Sequence, residues 1–375
     1  MSAAPTALQP LFQPMPFGKG ELKNRIVMAP MTRQHSPGGI PGNNVVEYYA
    51  RRAKGGVGLI ITEGTYVGHV GANGYDNVPA FSGAAALSGW KKVVDAVHAA
   101  GGKIAPQIWH TGMMRRPGTE PVPSQPGYGP MEIQEEGKVV VKAMDKQDIA
   151  DVIAAFAKAA ADAKDVGFDG LEIHGAHQYL LDAFMWEKTN QRTDEYGGPL
   201  ANRIRLAVEV VAAVRAAVGP DFPIIYRFSQ WKITDYDARI GNTPEELGVI
   251  LNALAKAGVD IFHASQRRFW EPAFDGSPDN LATWAEKLTG KPAITVGSVG
   301  LNTTMSVELF MGLEEPNGQY ADISALAKGV TENKYHLIAV GRALLSEPDW
   351  ANKLRDSRQE EIKGFDKTAL TTLVV

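Results

Sequence analysis

The chain has 375 residues, 44% of them hydrophobic and 21% charged, with a formal net charge of −4. It is long enough to bury a sizeable core, and it lacks the basic block that nucleic acid or an anionic membrane surface requires. With no cysteine, it has no disulfide, no thiolate nucleophile and no cysteine-ligated metal cluster. Met1 to Pro10 carries neither a basic n-region nor an apolar run of signal length, and no stretch is apolar for long enough to span a bilayer. A cytoplasmic protein is therefore expected.

Short apolar runs rich in Val and Ile alternate with amphipathic helical stretches. Before the first run, Leu11–Lys23 mixes Pro, Gly and short apolar pairs, and is expected to form a hairpin closing the bottom of the fold. Strands are predicted at Arg25–Ala29, Val57–Thr62, Lys103–Trp109, Asp169–His174, Pro223–Ser229, Val259–His263, Pro292–Gly297 and His336–Val340. Continuous apolar runs of this length suit strands of a parallel sheet buried on both faces. Helices are predicted between them, among others at Asn44–Ala53, Ala85–Ala100, Gln147–Val166, Leu200–Val218 and Pro244–Ala257. Gly101, Gly167, Gly219 and Gly258 stand where a left-handed C-cap is expected. Strands each followed by a helical stretch favour an α/β fold, a closed (β/α)8 barrel; an open doubly wound sheet is the alternative that periodicity alone leaves standing. No linker divides the chain, so residues 1–375 read as one domain. Two insertions interrupt the rhythm. Thr111–Lys142, after the third strand, is rich in Pro and Gly and ends in a small hairpin, and Ser265–Asn280, after the sixth, carries Arg267, Arg268, Phe269 and Trp270.

In such a barrel the chemistry sits at the carboxyl ends of the strands. No lysine stands there, against a Schiff-base aldolase. No carboxylate pair stands at the ends of strands 4 and 7, against a retaining glycosidase. No His-x-His follows strand 1, against a metal-dependent hydrolase. Gly297-Ser298 and Gly341-Arg342 follow strands 7 and 8, where many barrels hold a phosphate through backbone N–H groups, with Arg342 adding a charge-assisted contact. The bland alternative is that these glycines only turn the chain. His174, His177 and Tyr179 cluster at the turn after strand 4, so two imidazoles and a phenol can converge on one small polar acceptor. The alternatives are a satisfied turn histidine with Tyr179 as core filler, or a zinc pair for which no third ligand is evident.

These residues resemble the Old Yellow Enzyme family of FMN-dependent reductases along nearly the whole chain. The likeness rests on Leu22-Lys23-Asn24-Arg25, Met28-Ala29-Pro30-Met31-Thr32-Arg33, Ile61-Thr62-Glu63-Gly64-Thr65 and Gln107-Ile108-Trp109-His110. It continues through His174 to Leu181, Asn190 to Gly198, Asn202-Arg203, Gly341-Arg342-Ala343 and Pro348-Asp349. The resemblance implies an enzyme in which NADPH or NADH reduces bound FMN, and the flavin then passes a hydride to the β-carbon of an α,β-unsaturated carbonyl or related acceptor. Pro30, Thr32, Gly64 and Gln107 would contact the isoalloxazine, Arg227 its N1/C2=O end, and Gly297, Ser298, Gly341 and Arg342 the phosphate. His174 and His177 would bind the substrate carbonyl, Tyr179 would protonate the α-carbon, and Trp109 would wall the site. Apart from the resemblance, Trp270, an aromatic beside Arg267, Arg268 and Phe269 on a loop expected at the catalytic face, is expected to help cover the pocket. Partners would be small molecules, with neither nucleic acid nor membrane. Two departures stand out: Gln178 where many relatives have Gly, and Thr32 where one subgroup has Cys. A dehydrogenase or desaturase running the other way, and a flavin-binding protein without turnover, are the rival readings.

Overall fold

A hairpin of β1 (Met15–Phe17) and β2 (Gly20–Leu22) leads into the barrel in the computed structural model, which describes residues 4–304 and 317–375. The barrel opens with β3 (Ile26–Met28), β4 (Leu59–Tyr66) and β5 (Lys103–Trp109). The insertion after β5 forms a small sheet of β6 (Gly127–Gly129), β7 (Ile133–Glu135) and β8 (Lys138–Ala143). β9 (Leu171–His174), β10 (Ile224–Phe228), β11 (Ile261–Ser265), β12 (Ala293–Val296) and β13 (Leu337–Val340) complete the barrel, and β13 pairs with β3 to close it. Every barrel pair is parallel, so the closed alternative holds over the open sheet.

The helices form where caps and periodicity predict them. Asp145 caps Lys146–Val166 through a reciprocal bond with Asp148, and Gly167 ends that helix at φ 100°. Thr243 caps Pro244–Ala257 and Gly258 stops it. The stretch predicted as one helix over 200–218 is two, Leu200–Arg203 and Arg205–Val218, meeting at Ile204. Among the described residues no helix is long and apolar enough to cross a membrane.

Alternation along the strands sorts the side chains. Ile26, Ile60, Ile104, Ile173 and Ile224 pack outward against the helices. Val27, Leu59, Ile61, Ala105, Ile225, Ile261 and Leu337 fill the barrel interior, plugged from below by Met15, Phe17 and Leu22 of the hairpin. The same two-residue period then changes chemistry one layer up. Gln107 follows Ala105, Arg227 follows Ile225 and His263 follows Ile261, while Glu172 lies in register with Gln107 and Ile225. All four polar residues are buried. The barrel therefore has an apolar base and a polar layer beneath its carboxyl end.

Two strands run further than predicted, β11 to Ser265 and β4 to Tyr66. β4 shifts register between Ile61 and Gly64 and continues to Tyr66, so Glu63, Gly64 and Thr65 belong to the strand and not to the loop beyond it. Gly64 permits this, because a Cβ there would lie 2.7 Å from the Trp109 ring.

Candidate active site

A cavity of about 490 Å³ opens above the polar layer. Pro30 and Thr32 line it from the end of β3, Gln107 and Trp109 from β5, and Arg227 from β10. Gly297, Ser298, Gly341 and Arg342 line it from the turns after β12 and β13. His174, His177 and Tyr179 complete the wall from the turn after β9. Residues far apart in sequence thus share one chamber because each ends or follows a barrel strand.

Two expected residues are not brought there. Gly64 does not line the cavity; it backs the Trp109 ring and sets how deep that indole sits. Trp270 does not line it either, being 51% exposed with its ring edge-on to Phe269, 5.0 Å away. Trp270→Ala is accordingly expected to leave FMN binding and the enone KM within roughly two-fold of wild type, the scale of an ordinary surface substitution. Steady-state kinetics with matched flavin loading checks this.

The phosphate side is built on backbone shape. Gly297 has φ 132°, and a Cβ there would lie 2.6 Å from the Gln266 carbonyl, so only glycine fits. Ser298 follows at φ 54°. Gly341 is less constrained, since its Cβ would meet only Met31 Sδ at 3.6 Å. Arg342 donates to the Thr303 carbonyl at 2.8 Å, and its guanidinium lies 5.6 Å from the Phe365 ring centre.

Beneath the cavity floor Gln107 Nε2 donates to Glu172 Oε1 at 2.8 Å, and Glu172 Oε2 lies 2.6 Å from His263 Nδ1. Because a carboxylate only accepts, the Gln107 amide nitrogen faces Glu172 and its oxygen is left for the cavity. Arg227 donates to Ser265 Oγ at 3.2 Å, and its buried Nε has no partner in the protein. Burial lowers the Arg227 pKa, with Glu172 opposing, and the guanidinium stays charged.

The mouth is aromatic and polar together. The His174 ring stacks parallel to Trp109 at 5.8 Å and stands edge-on to His177 at 5.1 Å and to Tyr179 at 4.9 Å. Buried His174 Nδ1 has no partner. His177 Nε2 lies 2.8 Å from Ser265 Oγ. Burial first, and then the neighbouring Arg227, holds the His174 pKa well below its ordinary value. His177 is lowered in the same way, by burial and then by His174 and Arg227. Both imidazoles are therefore neutral at pH 7, and each offers a single N–H. Burial, and then Tyr75, pushes Tyr179 well above the usual phenol range, so it keeps its proton. Its hydroxyl lies 2.9 Å from that of Tyr75.

Tyr75, Trp231, Ile233, Tyr236 and Ser265 were not expected here. Trp231, Ile233, Tyr236 and Ser265 line the cavity, and Tyr75 backs it by stacking on Trp109 at 5.7 Å. Four of the five lie in loops without periodicity. The exception, Ser265, sits one period beyond His263 on β11 and could have been found by extending that strand.

The chamber suits a flavin mononucleotide. Its floor offers an amide oxygen and a guanidinium with an unpartnered N–H, and one end is a glycine turn with an arginine beside it. Comparison with known proteins agrees. The model of the family described as NADH:flavin oxidoreductase / NADH oxidase matches residues 10–313. 12-Oxophytodienoate reductase 2 of Arabidopsis thaliana is 35% identical over 357 residues, covering 91% of this chain and 87% of that protein. An NADH oxidase of Thermoanaerobacter brockii is 33% identical over 372 residues and 94% of this chain, which spans about half of that longer protein, 52%. The structure of an Old Yellow Enzyme from Pichia sp. AKU4542 superposes with a TM-score of 0.79 at 28% identity, covering 98% of this chain and 92% of that one.

Proposed function

Because the chain belongs to the NADH:flavin oxidoreductase / NADH oxidase family, we propose that it is an FMN-dependent ene reductase, taking hydride from NADPH or NADH and reducing the C=C bond of α,β-unsaturated carbonyl compounds. One observation carries the substrate class: at the mouth of the flavin-sized cavity the neutral imidazole of His174 lies about 5 Å from a second, His177, and from the protonated phenol of Tyr179. A carbonyl oxygen needs hydrogen-bond donors, and a developing enolate needs them more. When bound, FMN supplies the hydride chemistry.

The chain's own groups supply the rest. Pro30, Thr32, Gln107 and Arg227 would hold the isoalloxazine, and Gly297, Ser298, Gly341 and Arg342 the phosphate. His174 and His177 would each donate one N–H to the substrate oxygen. Ser265 supports this polarity at His177. Its hydroxyl accepts from Arg227 and can donate to His177 Nε2, which leaves the proton on Nδ1 for substrate. Tyr179 would give its proton to the α-carbon, and its bond to Tyr75 offers a path for replacing it. Trp109, Trp231 and Tyr75 exclude water around the flat substrate.

The test uses a phenol, which mimics an enolate but cannot react. 4-Chlorophenol is expected to bind the oxidised holoenzyme as the phenolate and give a long-wavelength charge-transfer band. Removing one charge-assisted donor, by His177→Ala, should weaken that complex by about 1.5–3 kcal/mol, or roughly 10–150-fold. Equal affinity in the variant would make His177 a turn residue only.

A further inference from the structure

His177 and Gln178 are consecutive non-glycine residues in the left-handed region, with φ 64° and 69°. A side chain makes that conformation costly, and it persists only where the surroundings over-determine it. Glycine at position 178 would carry no such cost; this chain has Gln178.

Much of what restrains the turn comes from one segment, the loop after β10 that covers 229–241, while Ser265 and Met113 hold the His177 and Gln178 side chains from elsewhere. The His177 N–H donates to Ser229 Oγ at 3.0 Å. The Gln178 N–H donates to Asp182 Oδ2 at 2.6 Å, and Asp182 Oδ1 accepts from Lys232 Nζ at 2.7 Å, with both side chains of that ion pair fully buried. The Gln178 side-chain amide oxygen, Oε1, accepts from the Thr234 hydroxyl. The Trp231 ring stacks on the His177 imidazole at 4.4 Å and 29°, while its indole N–H is held by the Ser265 carbonyl at 3.0 Å. The loop alternates: Trp231 and Ile233 line the cavity, while Thr234 bonds the turn directly and Lys232 does so through Asp182. One stretch of chain thus walls the substrate on one side and grips the carbonyl-binding turn with the other.

We propose that this loop is the clamp that holds the His177–Gln178 turn in its left-handed conformation, and that Thr234, acting through Gln178, is a positioning residue that aims His177 at the substrate oxygen. The proposal rests on the reading of His177 as a carbonyl donor. It predicts that a residue lining no part of the cavity controls ligand affinity there without touching flavin binding.

Thr234→Val removes the hydroxyl at nearly constant shape, and Thr234→Ser keeps it. In the oxidised holoenzyme, Thr234→Val is expected to weaken 4-chlorophenol about 2–12-fold, the scale of one hydrogen bond. Thr234→Ser should stay within about two-fold of wild type, and FMN affinity should be unchanged in both. In a Gln178→Gly background, where position 178 carries no strain and the Thr234 partner is gone, Thr234→Val should have no further effect. Amide hydrogen exchange across residues 175–182 reads the clamp without any ligand, and should be faster in Thr234→Val and restored in Thr234→Ser. Unchanged exchange in Thr234→Val overturns the clamp whatever phenol does. Faster exchange with unchanged phenol affinity overturns the positioning role. An equal loss in the Gln178→Gly background shows that Thr234 does not act through Gln178. A wild-type protein that binds no phenol, yet shows the expected exchange pattern, would sink the carbonyl-site reading and leave the clamp standing.

Discussion

Tyr179→Phe is expected to slow enone reduction by about 10²–10⁴-fold, the contribution typical of a positioned general acid. The substitution removes one hydroxyl and keeps the ring, which packs 4.9 Å from Trp109 and from His174, so the wall of the cavity survives. FMN binding and anaerobic reduction by NAD(P)H should be unaffected, because neither needs that proton. Quinone reduction should be largely spared, since the quinone oxygens can be protonated from water. Stopped-flow measurement of the two half-reactions separates the cases. Flavin reoxidation by cyclohexenone at the wild-type rate would remove Tyr179 from the role of acid. Collapse of both half-reactions together would make it structural, a sign that the strained turn at His177 and Gln178 had shifted.

Arg342→Ala is expected to weaken FMN binding by about 1.5–3 kcal/mol, or roughly 10–150-fold, the loss of one charge-assisted bond. The guanidinium does not reach the cavity by chance. The Thr303 carbonyl holds it at 2.8 Å and Phe365 lies beneath it, so it is pre-positioned before any ligand arrives. Titrating the apoprotein with FMN and with riboflavin isolates the contribution. Riboflavin lacks the phosphate and should bind wild type and variant alike, while the preference for FMN falls. A variant that keeps the full preference would place the phosphate away from Arg342.

The barrel was legible in the sequence because each layer of it obeys a period. Runs such as Leu59-Ile60-Ile61 and Ile224-Ile225-Tyr226 are buried on both faces, and caps such as Asp145 and Gly167 bracket the helices. The strand ends were legible for the same reason, so the strand pattern alone places His174, Gln107 and Arg227 at one end of the barrel. Loops have no period. Trp231, Ile233 and Tyr236 were invisible because nothing local to 229–241 says that it folds back over the turn after β9. Trp270 misled in the opposite sense, since an aromatic beside two arginines reads as a binding residue when its burial is unknown. Gly64 was expected at the flavin for its backbone, and periodicity gave no sign that its missing side chain also makes room for Trp109. One inner feature did leave a trace: Glu172 is a charge inside an apolar strand, and such a charge demands a partner, here Gln107 and His263.

The central claim is that one bound flavin accepts hydride from a nicotinamide and delivers it to an activated alkene. An anaerobic absorbance titration of the purified protein tests it most directly, first with NADPH or NADH and then with 2-cyclohexenone. The account predicts a yellow protein whose flavin absorption bleaches with one equivalent of reductant and returns with one equivalent of enone, leaving cyclohexanone. A protein without flavin, a flavin that neither nicotinamide bleaches, or one bleached only by the saturated ketone would contradict it.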